Sequence, residues 1–475
     1  MQSSICSANP KSNRIETLLR LLGLLYPTGQ CVKELSSAKS VLQKLNGVSL
    51  SDVNSSEDLL CLLTKHYRKV CNGSPPNCNK CLMQKFCNYW RRKQQRSNGK
   101  RVPFIDLFAG AGGLSLGLES HGFRPVMAVD FDKSSSETYL FNRPFMKEPQ
   151  FVIDDIENCT DFPEIPLVIG GPPCQGFSNA NRQGLADDPR NHLYRSFVLA
   201  VKKARAKVCL LENVSGMLKY RSAIQKDFRK IGFKVEPCSF NTKDYGYPQN
   251  RNRIFWFGMR TKSDSVFQMF FSLFKEHAFE SINGRVSFTL DDAIQDLTPL
   301  VAKTKRNATD AENEKWGYTV NDPRVFNSKY SRLINGGKLK SFLYNHKTKY
   351  NNSRDISIYK KLKPGERSDA KSIRDIMPYA SRKHIFKDKF YKLKGKNVSK
   401  AITAHMYYDC HMYIHPYQAR GLTPREAARI QGFPDDYYFF GYPNEWYRQI
   451  GNAVSPLAAV HVGKGMSEVF NRIGD

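Results

Sequence analysis

Between residues 102 and 214 the chain repeats one pattern: a short apolar run that ends in a carboxylate, a glycine or an amide. The runs are VPFIDLF (102–108), RPVMAVD (124–130), FVIDD (151–155), PLVIGG (166–171) and KVCLLENV (207–214). Stretches with helical spacing, such as LSLGLESHG and NHLYRSFVLAVKKARA, lie between them. Strand–helix alternation over this length predicts an α/β fold with a doubly wound, Rossmann-like sheet. In such sheets ligands sit beyond the carboxyl ends of the strands. The polar residues that close the runs fall at those ends.

The flanking regions read differently. Residues 1–90 are leucine-rich and predict a helical module. RRKQQRSNGKR (91–101) has six basic residues and no acid, and reads as a basic linker able to touch phosphate. From about residue 262 to 400 the alternation is lost. Lys, Arg, Asn, Tyr and Ser dominate, with loops such as KTKRNATDAENEKWGY, and a second, small, irregular, basic domain is expected. Helical patterning returns after Arg420 in LTPREAARIQGFP and IGNAVSPLAAVHVGKGMSEVF.

Charge narrows the function. The 475 residues carry a formal net charge of +29, with a pI near 9.6. Such an excess points to a polyanionic partner, nucleic acid first, with a merely solvated basic surface as the alternative. No apolar run is long enough to span a bilayer, and the leucine run Leu18–Leu25 is broken by Arg20. A cytoplasmic protein that does not engage membranes is expected. Four of the twelve cysteines crowd into residues 71–87. In a chain of this size and class, a metal site fits that cluster better than a disulfide framework.

Four stretches carry candidate chemistry. In DLFAGAGGLSLG (106–117), glycines at a strand–helix junction allow close backbone approach to a ligand, and Asp130 ends the next strand. A carboxylate there can hold ribose hydroxyls, which predicts a nucleoside-containing cofactor. The glycine spacing departs from that of dinucleotide sites, and a tight turn alone is the structural alternative. In GGPPCQG, prolines and glycines present Cys174 at a strand end. A small buried thiol in a turn is the competing reading. Glu212 closes LLENV as either a capping group or a positioned acid. Arg251 and Arg253, two apart in DYGYPQNRNRIFWFG, share a strand face by spacing.

Together these stretches resemble the DNA (cytosine-5)-methyltransferase family. The ordered motifs are DLFAGAGGLSLG, AVDFD, GGPPCQGFS, ENVSGM, YPQNRNR, RGLTPREAARIQGFP and RQIGNAVSP, spread over about 101–260 and 405–470. The resemblance implies S-adenosylmethionine as cofactor, lined by Phe108, Ala111 and Gly113. It gives the ribose hydroxyls to Asp130, the adenine face to Phe131 and the adenine amine to Asp155. Gly171, Pro173, Leu193, Asn452, Ala453 and Val454 would close the site. Cys174 would be the nucleophile toward cytosine carbon 6. Glu212 would bind N3 and the exocyclic amine, and burial would have to raise its pKa. Arg253 would contact O2, and Arg251 would support the catalytic loop or a phosphate. Residues 102–261 and 440–475 would form one SAM-binding catalytic domain, with 262–439 as the target-recognition domain and its hinge. The substrate implied is a cytosine flipped from duplex DNA. The expected setting is a bacterial restriction-modification system, with a monomeric enzyme and a cognate restriction endonuclease as functional partner only. A tRNA-directed relative and a catalytically silent DNA-binding regulator are the alternatives.

Cys71, Cys78, Cys81 and Cys87 are spaced C-x6-C-x2-C-x5-C. This resembles the iron–sulfur loop of endonuclease III-type glycosylases, over about residues 58–90. It implies a 4Fe–4S cluster, with structural zinc and unligated cysteines as alternatives.

Overall fold

The computed structural model describes residues 101–474, except 144–145, 147–149, 174–192, 281–286, 305–318, 321–327, 338–341 and 379–386. The four clustered cysteines and Cys174 therefore lie outside the described residues.

The apolar runs form strands β1 (Val102–Leu107), β2 (Phe123–Val129), β3 (Phe151–Val152), β4 (Leu167–Gly170) and β5 (Val208–Asn213). Two strands follow that the alternation did not single out, β6 (Phe233–Asn241) and, beyond the short β7 (Gln249–Asn250), β8 (Asn252–Arg260). Seven of these make one sheet in the order β3-β2-β1-β4-β5-β8-β6. β8 runs antiparallel to both its neighbours, while β1 to β5 pair in parallel. The order reverses between β1 and β4, and the crevice beyond their carboxyl ends is where such sheets take ligands.

Both faces are covered, as the near-continuous burial of β4 and β5 requires. On one face lie α1 (Gly113–Glu119), α5 (Asp264–Ala278) and α11 (Pro456–Gly474); on the other lie α3 (Leu193–Lys203) and α4 (Arg221–Arg229). The helix α2 (Lys133–Phe141) follows β2, and its Tyr139 packs with Phe151 at the β3 edge. Helix α5 belongs to the segment expected to start a separate basic domain. Instead Phe267, Phe270, Phe271 and Phe274 recur at helical spacing and bury against the sheet. The C-terminal α11 packs back on α1, where a β-carbon on Gly117 would meet the Ala459 backbone.

The remaining described residues include the short helices α6 (Leu290–Ile294), α7 (Lys329–Ile334) and α8 (Ser353–Lys361). Helices α6 and α7 share one apolar cluster with α9 (Pro424–Gln431) and α10 (Pro443–Asn452), through Leu290, Tyr330, Ala428 and Trp446, while α8 packs in a smaller one around Ile358, Phe390 and Ile414. The RGLTPREAARIQGFP motif is a structural keystone here. Thr423 and Glu426 close a capping box, Pro424 occupies the first turn, and Gly432 ends α9 at φ 90. Its three arginines are buried but satisfied. Arg420 makes two bonds to Glu426 (2.6 and 2.8 Å), Arg429 grips Asp435 (2.7 and 2.9 Å), and Arg425 donates to the Tyr344, Pro434 and Tyr437 carbonyls. Against its burial, the Arg420 guanidinium, with His415 and His346 beyond it, holds Glu426 well below the usual carboxylate range.

Candidate active site

Phe108 and Gly110 leave β1 with positive φ of 55 and 51, and Gly112 caps α1 at φ 77. Nothing lies within 4 Å of a β-carbon built on Gly110, so the loop presents bare backbone to open space there. The Asp130 carboxylate, at the end of β2, accepts the N–H groups of Gly110 and Asp132, both at 2.8 Å. Burial raises its pKa, and those two N–H groups pull it back. Next to it Phe131 is 68% exposed, unusual for a large apolar ring, and free to cover a flat ligand. A glycine cradle, a carboxylate with lone pairs to spare and an open aromatic face fit an adenosyl group. Asp155 caps a single helical turn by accepting the Glu157 N–H at 3.0 Å and is otherwise exposed. Phe108 and Leu193, both half-buried, pack on one apolar cluster.

Behind the cradle lies a buried network that the sequence did not disclose. Asp106 accepts the Ser115 hydroxyl, which bonds Tyr139 at 2.8 Å. Arg143, fully buried, donates to the Gly112 carbonyl at 2.8 Å and the Tyr437 hydroxyl at 3.1 Å, and pairs with Glu119 at 3.0 Å. Tyr437 in turn donates to the Ala111 carbonyl. Burial pushes Asp106 up to about 7. A polar residue inside an apolar run was the available signal for Asp106. Arg143 offered none, because its partners come from distant segments.

The second centre gathers at the ends of β4, β5 and β8. Glu212 is buried, and its Oε1 lies 2.9 Å from Arg253 Nε. Burial raises its pKa, while Arg253 and then Arg251 oppose the shift. This meets the electrostatic condition expected of an acid that carries a proton. A β-carbon on Gly171 would stand 3.2 Å from Glu212 Oε2. Glycine there lets the carboxylate sit against the backbone leading to Cys174. Asn213 fastens that stem by donating to the Pro172 carbonyl at 3.1 Å. The stem is described as far as Pro173.

Arg251 and Arg253 do not share a task. Arg251 is buried, and its guanidinium donates to the carbonyls of Ile402 (2.6 Å), Gly451 (3.1 Å) and Ala453 (3.0 Å). It is a strut between β8 and the C-terminal motif. Period-two spacing missed this because β7 and β8 are separate strands and Arg251 lies between them. Val454 joins the two centres: its carbonyl lies against Gly113, and its side chain lies 3.9 Å from a β-carbon built on Gly171. Ala453 ends α10, and Asn452 beside it is exposed. Among the described residues no group of three or more His, Cys, Asp or Glu could hold a metal, and no helix is long and apolar enough to cross a membrane.

The C-5 cytosine-specific DNA methylase family model matches residues 102–468. The chain is 31% identical over 399 residues to the type II methyltransferase M.DdeI of Desulfomicrobium norvegicum, covering 78% of this chain and 89% of that one. It is 30% identical to M1.HphI of Haemophilus parahaemolyticus, covering 77% of this chain and 86% of that one. A prophage-encoded E. coli protein, assigned as a DNA modification methyltransferase, matches with TM-score 0.54 at 28% identity over 78% of this chain and 99% of its own. The sheet order, the paired centres at its carboxyl edge and these matches agree: the chain belongs to the C-5 cytosine-specific DNA methylase family and is a DNA (cytosine-5)-methyltransferase.

Proposed function

We propose that the chain methylates cytosine within a specific duplex-DNA sequence, with Cys174 as nucleophile, and that it protects that sequence from a cognate restriction endonuclease. The observation that carries the reading is Glu212, a buried carboxyl with a raised pKa, set against the stem of the Cys174 turn.

Cytosine carbon 5 is a poor nucleophile. When the Cys174 thiolate bonds to carbon 6, electron density moves toward carbon 5 and N3. Glu212 in its protonated form donates at N3 and offsets the charge that develops there. Arg253 orients Glu212 and is within the same centre to meet O2. S-adenosylmethionine supplies the electrophilic methyl carbon. Gly110, Asp130 and Phe131 would hold its adenosyl part, with Phe108, Ala111, Gly113, Asp155, Leu193 and the Asn452–Val454 turn around it. Loss of the carbon 5 proton to a base then lets the Cys174 sulfur leave. The substrate carbon is inaccessible in a stacked helix, so the base must swing out. The irregular segment after α5, with its basic composition, is the proposed target-recognition surface. The four clustered N-terminal cysteines are proposed to hold a 4Fe–4S cluster by their spacing alone.

Bisulfite sequencing of DNA from cells expressing the protein tests the product. Methylation at one recurrent sequence is expected, and its loss in Cys174→Ser. A duplex with 5-fluorocytosine at that site should trap a covalent adduct in the presence of cofactor. Methyl uptake by tRNA but not by duplex DNA would overturn the reading.

A further inference from the structure

Arg448 takes no part in the mechanism above, yet it stands at a junction. From α10 its Nη2 reaches Asp132 Oδ2 at 2.6 Å. Asp132 is otherwise spent locally: its Oδ1 accepts Ser134 Oγ at 2.9 Å and the Ser135 N–H at 2.8 Å, capping α2. The Asp132 N–H donates to Asp130 Oδ1 at 2.8 Å. The chain of contacts therefore runs from α10 through Asp132 to the carboxylate at the end of β2. On its other side the Arg448 guanidinium lies 5.6 Å from the Tyr407 ring centre and 3.7 Å from Glu445.

The electrostatics favour a purpose for this link. Asp106, Asp130 and Asp132 crowd one edge of the sheet, and the Asp132 charge works against ionisation of Asp130. Arg448 works for it, and brings its charge from an element far away in sequence. Two acids two residues apart repel, so without a cation the Asp130–Asp132 turn loses a reason to keep both carboxylates in place.

We propose that Arg448 is a positioning residue for the cofactor: through Asp132 it holds the Asp130 carboxylate in the geometry that receives the ribose hydroxyls. The proposal rests on the reading of Asp130 as the ribose ligand. It also gives the Ala404–Tyr407 turn, which packs on α10, a contact with the cofactor end of the site.

Calorimetric titration of S-adenosylhomocysteine and of its 2′,3′-dideoxy analogue into the full-length protein tests it, using wild type, Arg448→Gln, Arg448→Lys and Asp130→Asn. Arg448→Gln is expected to weaken S-adenosylhomocysteine about three- to tenfold. It should leave binding of the dideoxy analogue within twofold, and kcat at saturating cofactor unchanged. Arg448→Lys should recover most of the loss, since a charge at that place suffices. Equal weakening of both ligands by Arg448→Gln would reduce Arg448 to a general packing role and overturn the proposal. So would wild-type affinity in Arg448→Gln while Asp130→Asn binds weakly. Wild-type affinity in Asp130→Asn would instead remove the ribose reading itself, and the proposal with it.

Discussion

The proposed mechanism requires Glu212 to be both buried and protonatable, and its neighbours set that balance. Burial raises the pKa, and the Arg253 guanidinium at 2.9 Å keeps it from rising without limit. Glu212→Gln keeps the shape and removes the proton donor. The expected result is a fall in kcat of about a hundredfold or more, with binding of S-adenosylhomocysteine retained. Steady-state rates and calorimetry on the same preparation separate the two. The residues alone singled out Glu212 and Cys174 as candidates, and the resemblance supplied their roles. A glutamate closing an apolar run, and a glycine–proline turn around a thiol, are conspicuous because strand ends rarely need such chemistry. That burial would have to raise the Glu212 pKa was expected; the Arg253 pairing and the place of Gly171 were not readable, because each depends on strands that are neighbours only in the folded sheet.

Among elements, the junction of β7, β8 and α10 shows where local spacing misleads. Arg251 and Arg253 look equivalent by position, but one feeds the centre and the other ties three backbone carbonyls together. Arg251→Met is expected to leave those buried acceptors unsatisfied and to destabilise the protein by about 2–4 kcal/mol. A lower urea midpoint with an unchanged slope is the measurement. Helix α5 is a similar case. Its phenylalanines follow the helical period plainly, yet the basic, irregular sequence after it suggested a boundary at residue 262. The hydrophobic face, not the composition of the neighbourhood, decided where it packs. The glycine cradle behaves the other way. Its positive-φ glycines were legible, while the Arg143 network that fixes them came from side chains scattered between residues 106 and 437.

For the molecule as a whole, the buried Asp106 predicts a pH dependence of stability. Its folded pKa is about 7 against an ordinary value of 3.8. Between those values the native state binds more protons than the unfolded chain, so this group makes stability fall as pH rises from about 4 to about 7, and level off above. Asp106→Asn should remove that slope, keeping a partner for Ser115. Urea unfolding of both proteins from pH 5 to 8 checks it: the variant's relative stability should grow with pH up to about 7, by a few kcal/mol at most. The sheet and its α/β character were visible from periodicity, because each run is short, local and apolar. The return of the C-terminal segment was expected from the resemblance, but the covering of a face by α5 was not, since that helix comes from the segment assigned to another domain.

The Val454 carbonyl against Gly113 and the Thr138–Gln449 hydrogen bond, between residues 311 apart, have a consequence for synthesis. A ribosome that has released the whole sheet still withholds α10 and α11, and with them the wall between the two centres. Contacts of such long range also form late in folding. Methyl transfer is therefore closed to any nascent or truncated chain that has not yet released α10 and α11.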